Sequence, residues 1–179
     1  TRAARLTADP PPPSAVRYAL SMATFERARG MAFAPEHSWF ALEAPAVVSL
    51  TFPPDTSDRN VAEAFASLTA WMERVDRPYM FLIRADRVLS LTATQRRLMA
   101  EAEQGYAHIE RRFNAGQAVV IQSVVQRGIF TAFTWISPPV WPYEITASAA
   151  DAFAWLDRQW EEVTVDYPDG PVWTGRLRR

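Results

Sequence analysis

Polar side chains that could bind an anion or accept a phosphate follow two predicted strands of this chain. They are Asp86, Ser90, Thr92 and Thr94 after the strand at residues 79–85, and Ser123 and Arg127 after the strand at residues 117–122. In α/β sheets, ligands bind beyond the carboxyl ends of the strands, where free N–H groups at a helix start stabilise negative charge. These residues therefore indicate either a small anion site or a phosphorylatable hydroxyl. The alternative is that Thr92 and Ser123 only cap helices, while Arg127 is an ordinary surface residue.

Several other kinds of chemistry lack the residues they need. The chain has no cysteine and no lysine, which excludes thiolate and Schiff-base chemistry. The histidines, His37 and His108, lie far apart and outside any metal-binding motif, and the glycines form no phosphate loop. We therefore expect no metal, no cofactor and no catalytic residue. The alternative of an enzyme whose site is assembled from dispersed residues stays open.

Two tryptophans differ from the others in their sequence surroundings. Trp141 and Trp173 lie in segments flanked by proline or glycine, whereas most of the others lie in predicted helices or strands. Aromatic side chains in such segments either cover the core or anchor a protein partner. Trp173 also belongs to a C-terminal tail that ends in arginines and could serve as a docking peptide.

Charge and hydropathy narrow the remaining classes of protein. The net charge of −1 provides no electrostatic field that would favour nucleic acid or an anionic membrane. No apolar run approaches the ~18 residues that suggest a membrane span. We therefore expect no nucleic acid partner and no membrane span. The absence of cysteine favours a reducing compartment, so we expect a cytoplasmic protein, and a homo-oligomer is compatible with the sequence.

Hydrophobic periodicity predicts strands and helices that alternate along the chain. Strands are predicted at residues 39–44, 47–52, 79–85, 117–122 and 142–146. Helices are predicted at residues 58–75, 92–113 and 123–135, and a last helix begins at residue 148. This alternation is typical of an α/β domain with a single mixed or mostly parallel sheet of four to five strands, covered by three to four helices. We place that domain at residues 38–162, between a proline-rich N-terminal arm (1–37) and the C-terminal tail (163–179).

The helix that follows Thr92 has two predicted faces. Thr92 and Gln95 match the capping-box pattern at its start. The residues predicted to face the core are Leu98, Ala102, Gly105, Ile109 and Phe113. The acidic residues Glu101, Glu103 and Glu110 are interleaved with arginine pairs, Arg96–Arg97 and Arg111–Arg112. That mixture predicts an exposed face with salt bridges rather than a basic binding strip.

The order of these elements resembles the STAS domain of anti-sigma-factor antagonists, in particular the SpoIIAA-like bacterial proteins. Three segments carry the resemblance, which covers roughly residues 38–162. The first is the strand at 79–85 with residues 86–92, which lead into a helix, and the second is the strand at 117–122 with the helix start at Ser123. The third is the strand at 142–146 followed by the helix that begins at Ser148. The resemblance implies a fold of the α/β class described above.

The resemblance also implies a function. In that family, a serine or threonine at the helix start after the middle strand is a phosphorylation switch, and Thr92 is at the matching position with Ser90 and Thr94 nearby. The Ser-Gly pair that usually accompanies the switch residue is absent from this chain. Family members act by binding other proteins rather than by catalysis, so the resemblance implies a non-catalytic regulatory or adaptor domain.

Two other functions fit the sequence. One is a sensor of a small ligand, an anion or a lipid, that uses Asp86, Ser123 and Arg127. The other is a structural subunit of a larger protein assembly, joined to it through the N-terminal arm and the C-terminal tail.

Overall fold

The computed structural model describes residues 33–44, 46–53, 56–85, 91–128, 131, 139 and 141–162 of the chain. Its strands are β1 (Phe40–Ala44), β2 (Val47–Thr51), β3 (Tyr79–Arg84), β4 (Asn114–Val120) and β5 (Tyr143–Thr146). Its helices are α1 (Asp58–Met72), α2 (Ala93–Phe113), α3, which is described over residues 124–128, and α4 (Ala149–Glu162).

The strands form one mixed sheet in the order in which they occur along the chain, β1-β2-β3-β4-β5. β1 and β2 pair in antiparallel fashion, and the pairs β2–β3, β3–β4 and β4–β5 are parallel. A helix follows each of the strands β2 to β5, as parallel connections require. The predicted α/β class with a single mixed, mostly parallel sheet is confirmed.

Helices cover both faces of the sheet. On β3, Phe81 belongs to the core cluster that contains α1 and α2, whereas Met80 and Leu82 belong to the cluster that contains α4. Each successive side chain of a strand points to the opposite face, so a strand with helices on both sides needs apolar residues throughout. This requirement explains the uninterrupted apolar run of β3.

Helix α1 agrees closely with its prediction. The side chain of Ser57 caps its start, and the predicted stripe of Val61, Phe65, Leu68 and Met72 is buried. The helix ends at Met72, earlier than predicted, although Val75 is still buried beyond it.

The buried face of α2 agrees in part with the predicted one. Phe113 is buried, and Leu98, Ala102 and Ile109 are partly buried against the same core, whereas Gly105 is exposed. Tyr106 and Glu110 are also buried. The prediction that Glu110 lies on an exposed, salt-bridged face is wrong, because its side chain is enclosed. The pattern did predict one exposed ion pair on this helix correctly, Arg97 with Glu101 at 3.6 Å.

Strand β4 begins earlier than predicted, directly after the last residue of α2. Asn114 has extended backbone angles and pairs with Tyr79, and the register shifts before Gly116. The Asn114 Oδ1 atom accepts a hydrogen bond from the Gly116 N–H at 3.0 Å. This side-chain bond at the irregularity allows the chain to pass from helix to strand without the predicted loop at residues 114–116.

Residues 33–37, which the sequence assigns to the N-terminal arm, pack against α1. The Phe33 ring lies 6.3 Å from the Trp71 ring, and the Trp71 Nε1–H donates to the Phe33 carbonyl at 2.9 Å. Residues 1–32 and the predicted tail, 163–179, lie outside the described residues.

Candidate functional site

The carboxyl ends of the parallel strands β2 to β5 form one edge of the sheet, here called the carboxyl edge, where α1 to α4 begin. Each helix start carries a hydroxyl that accepts a hydrogen bond from the N–H three residues later. These hydroxyls belong to Ser57, Thr92, Ser123 and Ser148. Each satisfies one of the backbone N–H groups that lack a partner within the helix. The capping role considered for Thr92 and Ser123 is therefore observed.

The cap at Thr92 ties α2 to the beginning of α1. The Thr92 Oγ1 accepts from the Gln95 N–H at 3.2 Å, and the Gln95 Oε1 accepts from the Thr92 N–H at 2.9 Å, which completes the predicted capping box. The Gln95 amide also donates to the Thr56 carbonyl at 2.8 Å. Thr92 and Thr94 are both exposed, so their hydroxyls can be reached from solvent.

Arg127 holds the turn that connects β4 to α3. Its Nη1 atom donates to the Ile121 carbonyl and to the Gln122 carbonyl, each at 2.7 Å. These acceptors lie just beyond the end of β4, so the guanidinium is part of the local fold. These contacts give no support to the hypothesis that Arg127 and Ser123 bind a small anion.

Two valines at the start of α3 are unusually exposed. Val124 and Val125, directly after Ser123, are 73% and 72% exposed. Fully burying a valine would stabilise the protein by about 1.5 kcal/mol or more, and here that stabilisation is not realised. The sequence interpretation had treated this stretch only as part of a short amphipathic run.

The other predicted site residues are separated from this edge or undescribed. Trp141 precedes β5 and therefore lies at the amino end of that strand, away from Thr92 and Ser123. It is half-buried, and its enclosed indole N–H has no acceptor in the part of the chain that the structure describes. Asp86, Ser90 and Trp173 lie outside the described residues.

An ion pair that spans β1 and β3 was missed by the sequence interpretation. The Arg84 Nη1 at the end of β3 donates to the Glu43 carboxylate on β1 at 2.8 Å, and it lies 3.5 Å from the Thr51 hydroxyl on β2. Partial burial raises the pKa of Glu43, but hydrogen bonds from Arg84 and Ser49, with the Arg84 charge, outweigh it and hold that pKa below its usual value. The pair links three neighbouring strands and stabilises the carboxylate form.

The described residues show neither a metal site nor a membrane helix. Over these ranges, no three histidine, cysteine, aspartate or glutamate side chains are grouped as metal ligands. Similarly, no helix within the described part of the chain is long and apolar enough to cross a membrane.

Comparison of the chain with protein-family models, with curated proteins and with solved structures finds no match.

Proposed function

We propose that this protein is a non-catalytic regulatory or adaptor domain that acts in the cytoplasm by binding another protein, as the STAS resemblance implies. The observation that carries this proposal is the exposure of Val124 and Val125, 73% and 72%, at the carboxyl edge. Adjacent exposed aliphatic side chains at a helix start contribute little to the fold, and such groups gain free energy when a partner covers them.

The arrangement around the valines also supports the proposal. The polar side chains that suggested chemistry, Thr92, Ser123 and Arg127, are engaged in holding helix starts and turns. They therefore give the edge a defined shape rather than a reactive group. We define the contact surface as Thr92, Thr94, Val124 and Val125, which all lie at or near helix starts on the carboxyl edge.

A phosphate on Thr92 would act on this contact surface directly. Its oxygens would lie at the start of α2, where N–H groups and the helix dipole stabilise negative charge. The same charge would oppose the docking of an apolar partner surface nearby, because a desolvated phosphate is costly. Phosphorylation at Thr92 is therefore proposed as a switch that weakens partner binding without unfolding the domain.

The proposal is tested by affinity capture from the native host with the full chain. The variant carries Val124→Ser and Val125→Ser together. The control is Leu42→Ser on β1, another exposed large hydrophobic residue, 39% exposed, on the edge strand farthest from β5. Thermal unfolding of all three proteins shows whether the fold is retained.

We expect a stoichiometric protein partner with the unmodified chain and with the Leu42 variant, and its loss with the double valine variant. Equal capture by all three proteins would show that the valines are not the contact. Capture of no protein by any of them would contradict the adaptor function itself.

A further inference from the structure

A glutamic acid side chain is enclosed between α2 and the sheet. Glu110 is 4% exposed and lies one turn of helix after Tyr106, which is 3% exposed. Tyr79 from β3 and Asn114 from β4 adjoin it, and both have no exposed surface. The Asn114 side chain is the polar group beside the Glu110 carboxyl that favours its ionised form.

No positive charge compensates this carboxyl in the described part of the chain. The titratable groups that act on it are Glu103 and Tyr106 from α2 and Tyr79 from β3. The charged residues of α1, which packs on α2, are all exposed: Asp58, Arg59 and Glu63. None of the ion pairs in the described ranges includes Glu110.

A carboxylate in such surroundings takes up a proton, because an unpaired buried charge costs far more than a neutral carboxylic acid. Burial, and then repulsion by Glu103, raises the pKa of Glu110 well above its usual value, and the polar Asn114 side chain opposes this only in part. Burial, and then the nearby Glu110, also raises the pKa of Tyr79, so this phenol supplies no competing charge.

We propose that α2 is a proton-sensitive element, in which neutral Glu110 seals the C-terminal half of the helix against β3 and β4 and its ionisation loosens that half. The geometry limits the effect to this half, because the other end of α2 is held separately by Thr92 and Gln95. A pH that rises through the folded pKa of Glu110 therefore loosens the last turns of the helix while its first turn stays attached.

The direction of the pH dependence follows from proton linkage. In the unfolded chain, Glu110 has a pKa of about 4.3, and in the folded protein the pKa is higher. Below the unfolded pKa both states hold the proton, and the contribution of Glu110 to stability is fully present. As the pH rises towards the folded pKa, only the unfolded state loses its proton, and the equilibrium constant for folding falls by up to about tenfold per pH unit.

The test compares the full-length protein with Glu110→Gln and with Glu101→Gln, a control at an exposed position on the same helix. Chemical unfolding is measured from pH 4 to pH 9, together with hydrogen exchange of the α2 amides.

We expect the folding constants of the unmodified protein and the Glu110 variant to diverge in favour of the variant as the pH rises. The Glu101 variant should follow the unmodified protein. Excess exchange above neutral pH should appear at residues 106–113 and be absent from residues 93–98.

A second measurement needs no variant. Carbon-13 labelling of glutamate side chains reports each carboxyl during a pH titration of the unmodified protein. One carboxyl should keep its proton to a distinctly higher pH than the other glutamate carboxyls. Titration of every glutamate near its usual pKa, or parallel pH profiles for the unmodified protein and a folded Glu110 variant, would overturn the proposal.

Discussion

Gly116 on β4 lies directly beneath the Trp155 indole of α4. A Cβ atom at position 116 would be 3.2 Å from the Trp155 Cη2 and 3.0 Å from the Gln159 Cγ. The absence of a side chain therefore sets how closely α4 approaches the sheet. Behind this contact lie Leu156 and Ala152, which have no exposed surface.

The close approach predicts that Gly116→Ala is destabilising. The added methyl group would require the Gln159 side chain and the Trp155 ring to give way by a few tenths of an ångström, because contacts of this length are tighter than ordinary packing. Overpacking of this kind costs typically about 1–3 kcal/mol, and we expect a loss in that range. Urea unfolding at fixed pH measures it.

Gly105→Ala is the matched control. Gly105 lies inside α2, and a Cβ atom there would have no heavy atom within 4 Å. An exposed glycine inside a helix is less favourable than alanine by about 0.5–1 kcal/mol, so this variant should be more stable than the unmodified protein. A stabilised Gly116 variant, or equal effects of the two changes, would contradict the packing explanation.

The fold could be predicted because its signals are local. Thr92 and Gln95 mark a helix start by chemistry that acts over three residues, and the structure forms the same two hydrogen bonds. The apolar run at residues 79–83 packs against the core on both faces, as a central strand requires. Sequential strands then pair with their neighbours, and this produces a single sheet.

The residues that the sequence interpretation missed depend on distant contacts. Glu43 and Arg84 are separated by β2, so only the register of three strands brings them together. Glu110 is followed in sequence by a charged residue, Arg111, so the charge pattern alone predicts that Glu110 is exposed to solvent. Its burial depends instead on how α2 is rotated about its axis when it packs over β3 and β4. Neither contact leaves a signal in the spacing of residues along the chain.

The Glu43–Arg84 ion pair predicts a loss of stability in acid. The pKa of Glu43 lies below its usual value, so its contribution is present above the unfolded pKa of about 4.3 and is lost as the pH falls through the lower folded pKa. Glu43→Gln should therefore be less stable than the unmodified protein at neutral pH, by about 0.2–1 kcal/mol for a partly exposed pair. The difference in stability between the two proteins should shrink as the pH falls below about 4.3, as measured by unfolding at each pH.

Glu63→Gln is the control for this prediction. Glu63 also pairs with an arginine, Arg59, at 2.7 Å, but both side chains are exposed on α1. Removal of this exposed pair should leave the stability nearly unchanged. The prediction would be contradicted if the stability difference between the Glu43 variant and the unmodified protein stayed constant from neutral pH to acid. The effect of the substitution would then not depend on protonation of the Glu43 carboxylate.

The Thr92 hydroxyl has a structural role that can be separated from the proposed switch. Thr92→Ala removes the cap of α2 and should lower stability by about 0.5–2 kcal/mol, whereas Thr92→Ser and Thr92→Asp keep an oxygen that accepts from the Gln95 N–H. Thr94→Ala, at an exposed position in the first turn, should leave stability nearly unchanged. Thermal unfolding ranks the four variants.

Affinity capture then compares the Thr92→Ser and Thr92→Asp variants. If Thr92 is a switch, the aspartate variant loses the partner that the serine variant retains. If Thr92 is only a cap, both retain it, and a Thr92→Ala variant as stable as the unmodified protein would contradict the cap itself.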